Sequence, residues 1–132
     1  MKIEDIKFKA KRLDNGEWVK GDLIHSTNYI GIGYPSDVFS DVPIVHRVNP
    51  STVCQFTGLK DSEGNEIWEG DLLQSQITKT IYEVNWHEFL GFIIKIFRSG
   101  SHLETLDYLL RLGKFKVIGN KFDKEKLLWK NM

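Results

Sequence analysis

Along most of this chain, apolar residues recur at alternate positions in short runs, and turn residues separate the runs. This pattern limits the possible folds more than any other feature, because a period of two places successive side chains on opposite faces of a strand. Ile6, Phe8 and Ala10 alternate with Lys7, Lys9 and Lys11, which predicts a strand with one wet face. Asp14-Asn15-Gly16 supplies residues that tolerate positive φ, and Glu17 to His25, with Trp18, Val19, Leu23 and Ile24, returns as a hairpin partner. Tyr29 to Tyr34 and Ile44 to Val48 add two more strands around a polar loop at Ser36-Asp37. Asn49-Pro50 closes this half, since a residue before proline avoids the helical region. The chain is therefore expected to divide into a β-rich N-terminal segment, 1–50, and a domain over 51–132.

The second half opens with a strand from Thr52 to Leu59 and the turn cluster Asp61-Ser62-Glu63-Gly64-Asn65. Trp68-Glu69-Gly70-Asp71-Leu72-Leu73 echoes Val19-Lys20-Gly21-Asp22-Leu23-Ile24, which suggests one local turn solution used twice. Tyr82, Val84 and Trp86 alternate with Glu83, Asn85 and His87 as in a half-buried strand. Phe92 to Phe97 has so little polar surface that both faces should be covered. Between Ser99 and Gly113 the period changes. Ser101 and Glu104 form a capping box, Leu103, Leu106 and Leu110 share a helical face, and Gly113 stops the run, predicting a helix over 102–112. Phe115 to Gly119 returns to strand, and Asp123 caps a half-turn carrying Leu127, Leu128 and Trp129. The expected fold is mainly β: an SH3-like small barrel in the C-terminal part with one inserted helix, preceded by the β-rich segment.

Composition narrows the function classes. The 132 residues carry 18 Lys+Arg against 18 Asp+Glu, and 41% are hydrophobic, which excludes a disordered chain and a strongly basic nucleic-acid coat. A single cysteine, Cys54, cannot form an internal disulfide and points to the cytoplasm. The N-terminus lacks the apolar stretch of a signal peptide and no apolar run approaches the ~20 residues that span a bilayer, so no membrane role is expected.

The run Val53-Cys54-Gln55-Phe56-Thr57-Gly58-Leu59-Lys60-Asp61, then Gly64, then Ile67-Trp68-Glu69-Gly70-Asp71, resembles the central pattern of the YopX family of phage and prophage proteins. Lys11 to Val19 resembles the family's N-terminal segment, and Val84-Asn85-Trp86 with Val117-Ile118-Gly119-Asn120 its later strands. The resemblance implies an SH3-type barrel in the C-terminal part and an origin in a bacteriophage or integrated element, and it implies no reaction. Physically, Gln55, Phe56, Thr57, Gly58 and Leu59 read as a strand anchored by Phe56, and Glu69, Gly70 and Asp71 as a turn that launches the next strand, so these family-motif residues are expected to be structural.

No metal site is expected, because His25, His46, His87 and His102 are dispersed without ligand spacing. Counted from Asp61, the sixth and twelfth positions of a calcium loop are Glu66 and Leu72, so the acidic stretch reads as a solvated hairpin. Cys54 reads as a small buried hydrophobe, and Gly31-Ile32-Gly33 lacks the rest of a phosphate-binding loop. The chain is thus expected to be non-catalytic, with no cofactor, and to bind an unknown protein partner or assemble as a homo-oligomer. Acidic residues near Glu63 to Asp71 and basic ones at the C-terminus would favour association, with Trp68 or Trp129 as anchors if exposed. The alternative is a single-stranded nucleic-acid binder using Lys7, Lys9, Lys11 and Arg12, joined by Lys114, Lys116, Lys121, Lys124, Lys126 and Lys130.

Overall fold

The alternating segments of the first half become four strands, β1 (Phe8–Lys11), β2 (Trp18–His25), β3 (Ile30–Tyr34) and β4 (Ile44–Arg47), in a computed structural model that describes residues 1–38, 41–97 and 104–123. Contacts divide the chain into two units, Met1–Phe56 and Thr57–Met132. The division falls within strand β5 (Cys54–Lys60), several residues past the Asn49-Pro50 break in the sequence.

In the first unit the antiparallel order is β4-β3-β2-β1, and the first residues of β5 add to β1 through Phe8↔Gln55 and Lys9↔Cys54. The apolar members of each alternation share one face: Ala10, Ile32 and Val48 are fully buried, with Phe8, Val19, Ile30 and Val53 packed around them. The Asp14-Asn15-Gly16 turn forms as its residues predict, Gly16 at φ 72 donating its N–H to the Arg12 carbonyl at 3.0 Å. Gly21 differs from expectation. It lies inside β2 opposite Phe8, where a Cβ would collide with the Gly33 carbonyl, so its role is close strand approach and not a turn.

In the second unit the rest of β5 neighbours β6 (Glu66–Trp68). A five-stranded antiparallel sheet follows, in the order β10-β9-β8-β7-β11, from β7 (Asp71–Ser75), β8 (Ile81–His87), β9 (Gly91–Ile96), β10 (Glu104–Thr105) and β11 (Phe115–Asn120). Ile67, Leu73, Val84, Ile94, Leu106, Leu109 and Phe115 form its core, with the Tyr82 and Phe115 rings edge to face at 6.0 Å. The expected barrel does not close. Among the described residues β10 and β11 are the edges of an open sheet, and after Thr105 the chain leaves β10 for the helix.

That helix, α1 (Leu106–Leu112), is shorter than predicted and differently capped: Thr105 is the N-cap, its hydroxyl accepting the Tyr108 N–H at 3.3 Å. Glu104, assigned to a capping box from sequence, pairs with Ile94 as part of β10. Ser101, His102 and Leu103 lie outside the described residues, as do Leu127, Leu128 and Trp129. Asp123 ends a short 3-10 turn, Lys121–Asp123. Among the described residues no helix is long and apolar enough to cross a membrane.

Candidate interaction site

The motif residues are held by specific hydrogen bonds. Gln55 sits opposite Phe8, and Phe56, 2% exposed, donates its N–H to the Lys7 carbonyl at 3.0 Å. The buried Thr57 hydroxyl donates to the Ile67 carbonyl at 2.6 Å and accepts the Leu59 N–H at 3.1 Å, tying β5 to β6 across the bend at Gly58, φ 81. Leu59 packs against the second core. Glu69 is half-buried before Gly70, whose φ of 87 makes it the turn residue that Gly21 is not. The Gly70 N–H donates to the Val84 carbonyl, and its carbonyl accepts from Lys121, both at 2.8 Å. The buried Asp71 carboxylate accepts the Trp68 N–H at 2.8 Å and the Asn120 side-chain amide at 3.2 Å.

Asp61 departs from the solvated hairpin expected of it. It is 7% exposed and accepts four donations at 2.8–3.1 Å: the N–H groups of Glu63, Asn65 and Val117 and the Asn65 side-chain amide. Burial opposes its ionisation, but the donations from Val117, Asn65 and Glu63 outweigh that penalty and hold the carboxyl below the ordinary aspartate range. The Val117 bond links the β5–β6 turn to β11. These carboxylates are thus coordinated by the chain's own donors.

On β1, Lys9 and Lys11 share one face, with Lys7 just before the strand, and strand register places Lys20 opposite Lys9 and Trp18 opposite Lys11. The Lys9 and Lys11 ammonium groups lie 4.8 and 5.5 Å from the Trp18 ring centre, and Lys7 lies 4.7 Å from that of Phe56. Arg12 does not join them. Its guanidinium makes two bonds to Asp14, at 2.9 and 2.6 Å, which lower the Asp14 carboxyl and raise the guanidinium. Of the C-terminal cations, Lys116 pairs with Glu63 at 3.7 Å and Lys121 lies over Phe122, while Lys124, Lys126 and Lys130 are outside the described residues. The acidic and basic stretches thus meet within one unit at Lys116.

Cys54 is buried and its thiol donates to the Thr52 carbonyl at 3.2 Å. Two open clefts of about 330 and 380 Å³ lie in the first unit, and neither is lined by Cys54. Among the described residues no three His, Cys, Asp or Glu side chains are grouped to hold a metal ion.

The surface that stands out is the tip of the β8–β9 hairpin. Val84 is fully buried, yet Trp86, two residues on and on the same strand face, is 53% exposed, its ring edge to face with Phe92 at 5.0 Å. Phe89 is 89% and Leu90 50% exposed. The loop Glu88-Phe89-Leu90 is closed by the His87↔Gly91 pair, with Gly91 at φ 77. The His87 ring caps it: Nδ1 accepts the N–H groups of both Phe89 and Leu90 at 3.2 Å. Sequence alternation placed Trp86 with the buried residues, whereas the hairpin carries it beyond the core. The signal was present in Phe89-Leu90, an apolar pair where a turn calls for polar residues. The proposed anchor Trp68 is instead 2% exposed, and Trp129 is outside the described residues.

Comparison with protein-family models returns a match over residues 7–129 to the family described as YopX protein. No curated protein matches the chain.

Proposed function

The chain belongs to the YopX family, and on that premise we propose that it is a non-catalytic interaction module of phage or prophage origin, acting in the cytoplasm of a bacterial host. It binds a protein partner, a second copy of itself included, through the β8–β9 hairpin. The observation that carries this reading is the exposure of Trp86, Phe89 and Leu90 together at one tip. Adjoining large apolar side chains left in water characterise contact surfaces, and aromatic residues dominate binding energy. The use of Asp61, Thr57 and Asp71 as internal hydrogen-bonding groups supports a structural motif over a catalytic one. On the same reading the second unit is an opened relative of SH3-like folds, with Asp61 bridging the β5–β6 turn to β11 where a barrel would continue its strand pairing.

The test is capture from phage-carrying bacteria with the full-length protein as bait, with nuclease treatment, comparing the wild type with a Phe89→Ser, Leu90→Ser double variant. The expected result is a nuclease-resistant protein partner retained at least about tenfold better by the wild type. Equal retention removes the hairpin from the reading.

A second reading, single-stranded nucleic-acid binding, is favoured by one observation: the Lys9 and Lys11 ammonium groups gather beside the Trp18 ring on one strand face, joining cations to an aromatic side chain as single-strand binders do. Retention of single-stranded DNA that falls steeply between about 50 and 200 mM salt supports it, and no retention at low salt removes it.

A further inference from the structure

Resting on the hairpin as the contact element, we infer that His87 is a protonation gate for it: the neutral imidazole holds Phe89 and Leu90 in a fixed turn, and the imidazolium releases them. The argument starts from donors and acceptors. Both contacts at Nδ1 are donations from backbone N–H groups, and only a ring nitrogen without a proton can accept them. The hairpin as described therefore requires neutral His87 with its proton on Nε2. Protonation puts an N–H on Nδ1, aimed at two other N–H groups, and both bonds are lost together. Histidine is the side chain that ordinarily changes charge between about pH 5 and pH 8.

The Phe89 ring, tilted against the imidazole with centroids 6.1 Å apart, supplies no acceptor for the two freed amides. On the His87 face of the sheet, Glu83 on β8 stands directly opposite Lys95 on β9, a pair of opposite sign. The residues that face this side from β7 and β10, Leu72, Gln74 and Thr105, are uncharged. Glu88, exposed in the turn itself, is the adjacent acid. His46 makes a useful contrast: its ring bonds the Tyr34 hydroxyl at 3.0 Å, and a hydroxyl can accept as well as donate, so protonation there need not break the contact. The two amides at the hairpin tip have no such freedom. Once they turn to water the loop samples more conformations, and any partner that grips Phe89 and Leu90 must bear the cost of ordering them again.

The experiment is amide hydrogen exchange on the full-length protein, read as protection factors for Phe89 and Leu90 at about pH 7.5 and about pH 5, in the wild type and in His87→Asn. Asparagine keeps a side-chain oxygen that accepts at either pH. The wild type is expected to lose protection about tenfold on acidification, while His87→Asn does not respond to pH. Equal wild-type protection at both pH values, or the same acid loss in His87→Asn, overturns the gate. So does a ring nitrogen spectrum showing Nδ1 protonated at about pH 7.5. Because no partner is present in these measurements, they can succeed while capture through Phe89 and Leu90 fails, and the two failures stay separate.

Discussion

The second unit contains two turns built by the same device with different acceptors. In each, the side chain of the residue that opens the turn receives backbone N–H groups from within it: Asp61 takes those of Glu63 and Asn65, and His87 those of Phe89 and Leu90. Each turn also contains or ends at a glycine with positive φ, Gly64 or Gly91. They differ in what else the acceptor does. Asp61 is buried, carries a charge throughout the neutral range and reaches Val117 on β11. His87 accepts only while its Nδ1 carries no proton, and it holds a loop whose side chains point away from any core. A permanently ionised acceptor suits a turn that must never open, and a titratable one suits a turn that presents something.

The sharpest way to break this comparison is Asp61→Ala, which leaves the Val117, Glu63 and Asn65 donors without their acceptor. A loss of about 3–4 kcal/mol in urea unfolding is expected, and a loss below about 1 kcal/mol would show that the turn is held by other means. Asp61 also sets an acid limit. Because its folded carboxyl lies below the ordinary value of 3.8, its stabilisation is complete above that value and disappears as pH falls through the folded one, so Asp61→Asn should flatten the stability profile in that acid range. A smaller effect, about 1–2 kcal/mol, is expected for Gly70→Ala: its Cβ would meet Phe122, Asn120 and Lys121 at 3.4–3.5 Å, ordinary contact, so the cost is that of φ 87 alone. The smallest is expected at the hairpin tip, where Phe89→Ser and Leu90→Ser should each change the urea midpoint by the equivalent of no more than about 0.5 kcal/mol. A large destabilisation there would make the tip part of the core and end its claim to present anything.

Much of the fold could be read from local pattern. The alternation of Phe8 and Ala10 with lysines, of Val84 with its neighbours, and the doubly apolar Ile93-Ile94 correspond to strands with the expected buried faces. What could not be read depends on distant partners. Gly21 looks like Gly70 in sequence, and only the Gly33 carbonyl across the sheet distinguishes a pinched strand from a turn. Asp61 looks like surface until Val117, 56 positions away, donates to it. The helix start read from Ser101 and Glu104 comes too early because an i, i+3 pattern cannot reveal that Glu104 is engaged in strand pairing. Trp86 was placed in the core because periodicity gives the face of a strand but not where the core stops.

Thr105 belongs to the edge strand and to the helix cap at once. Sliding along β9 and swivelling of α1 are therefore geared together: a slip of one position would send the edge side chains to the opposite face and swing Leu106 and Leu109 away from Ile94. The short segment works as an indexing pin, and the seven residues of α1 inherit their orientation from it.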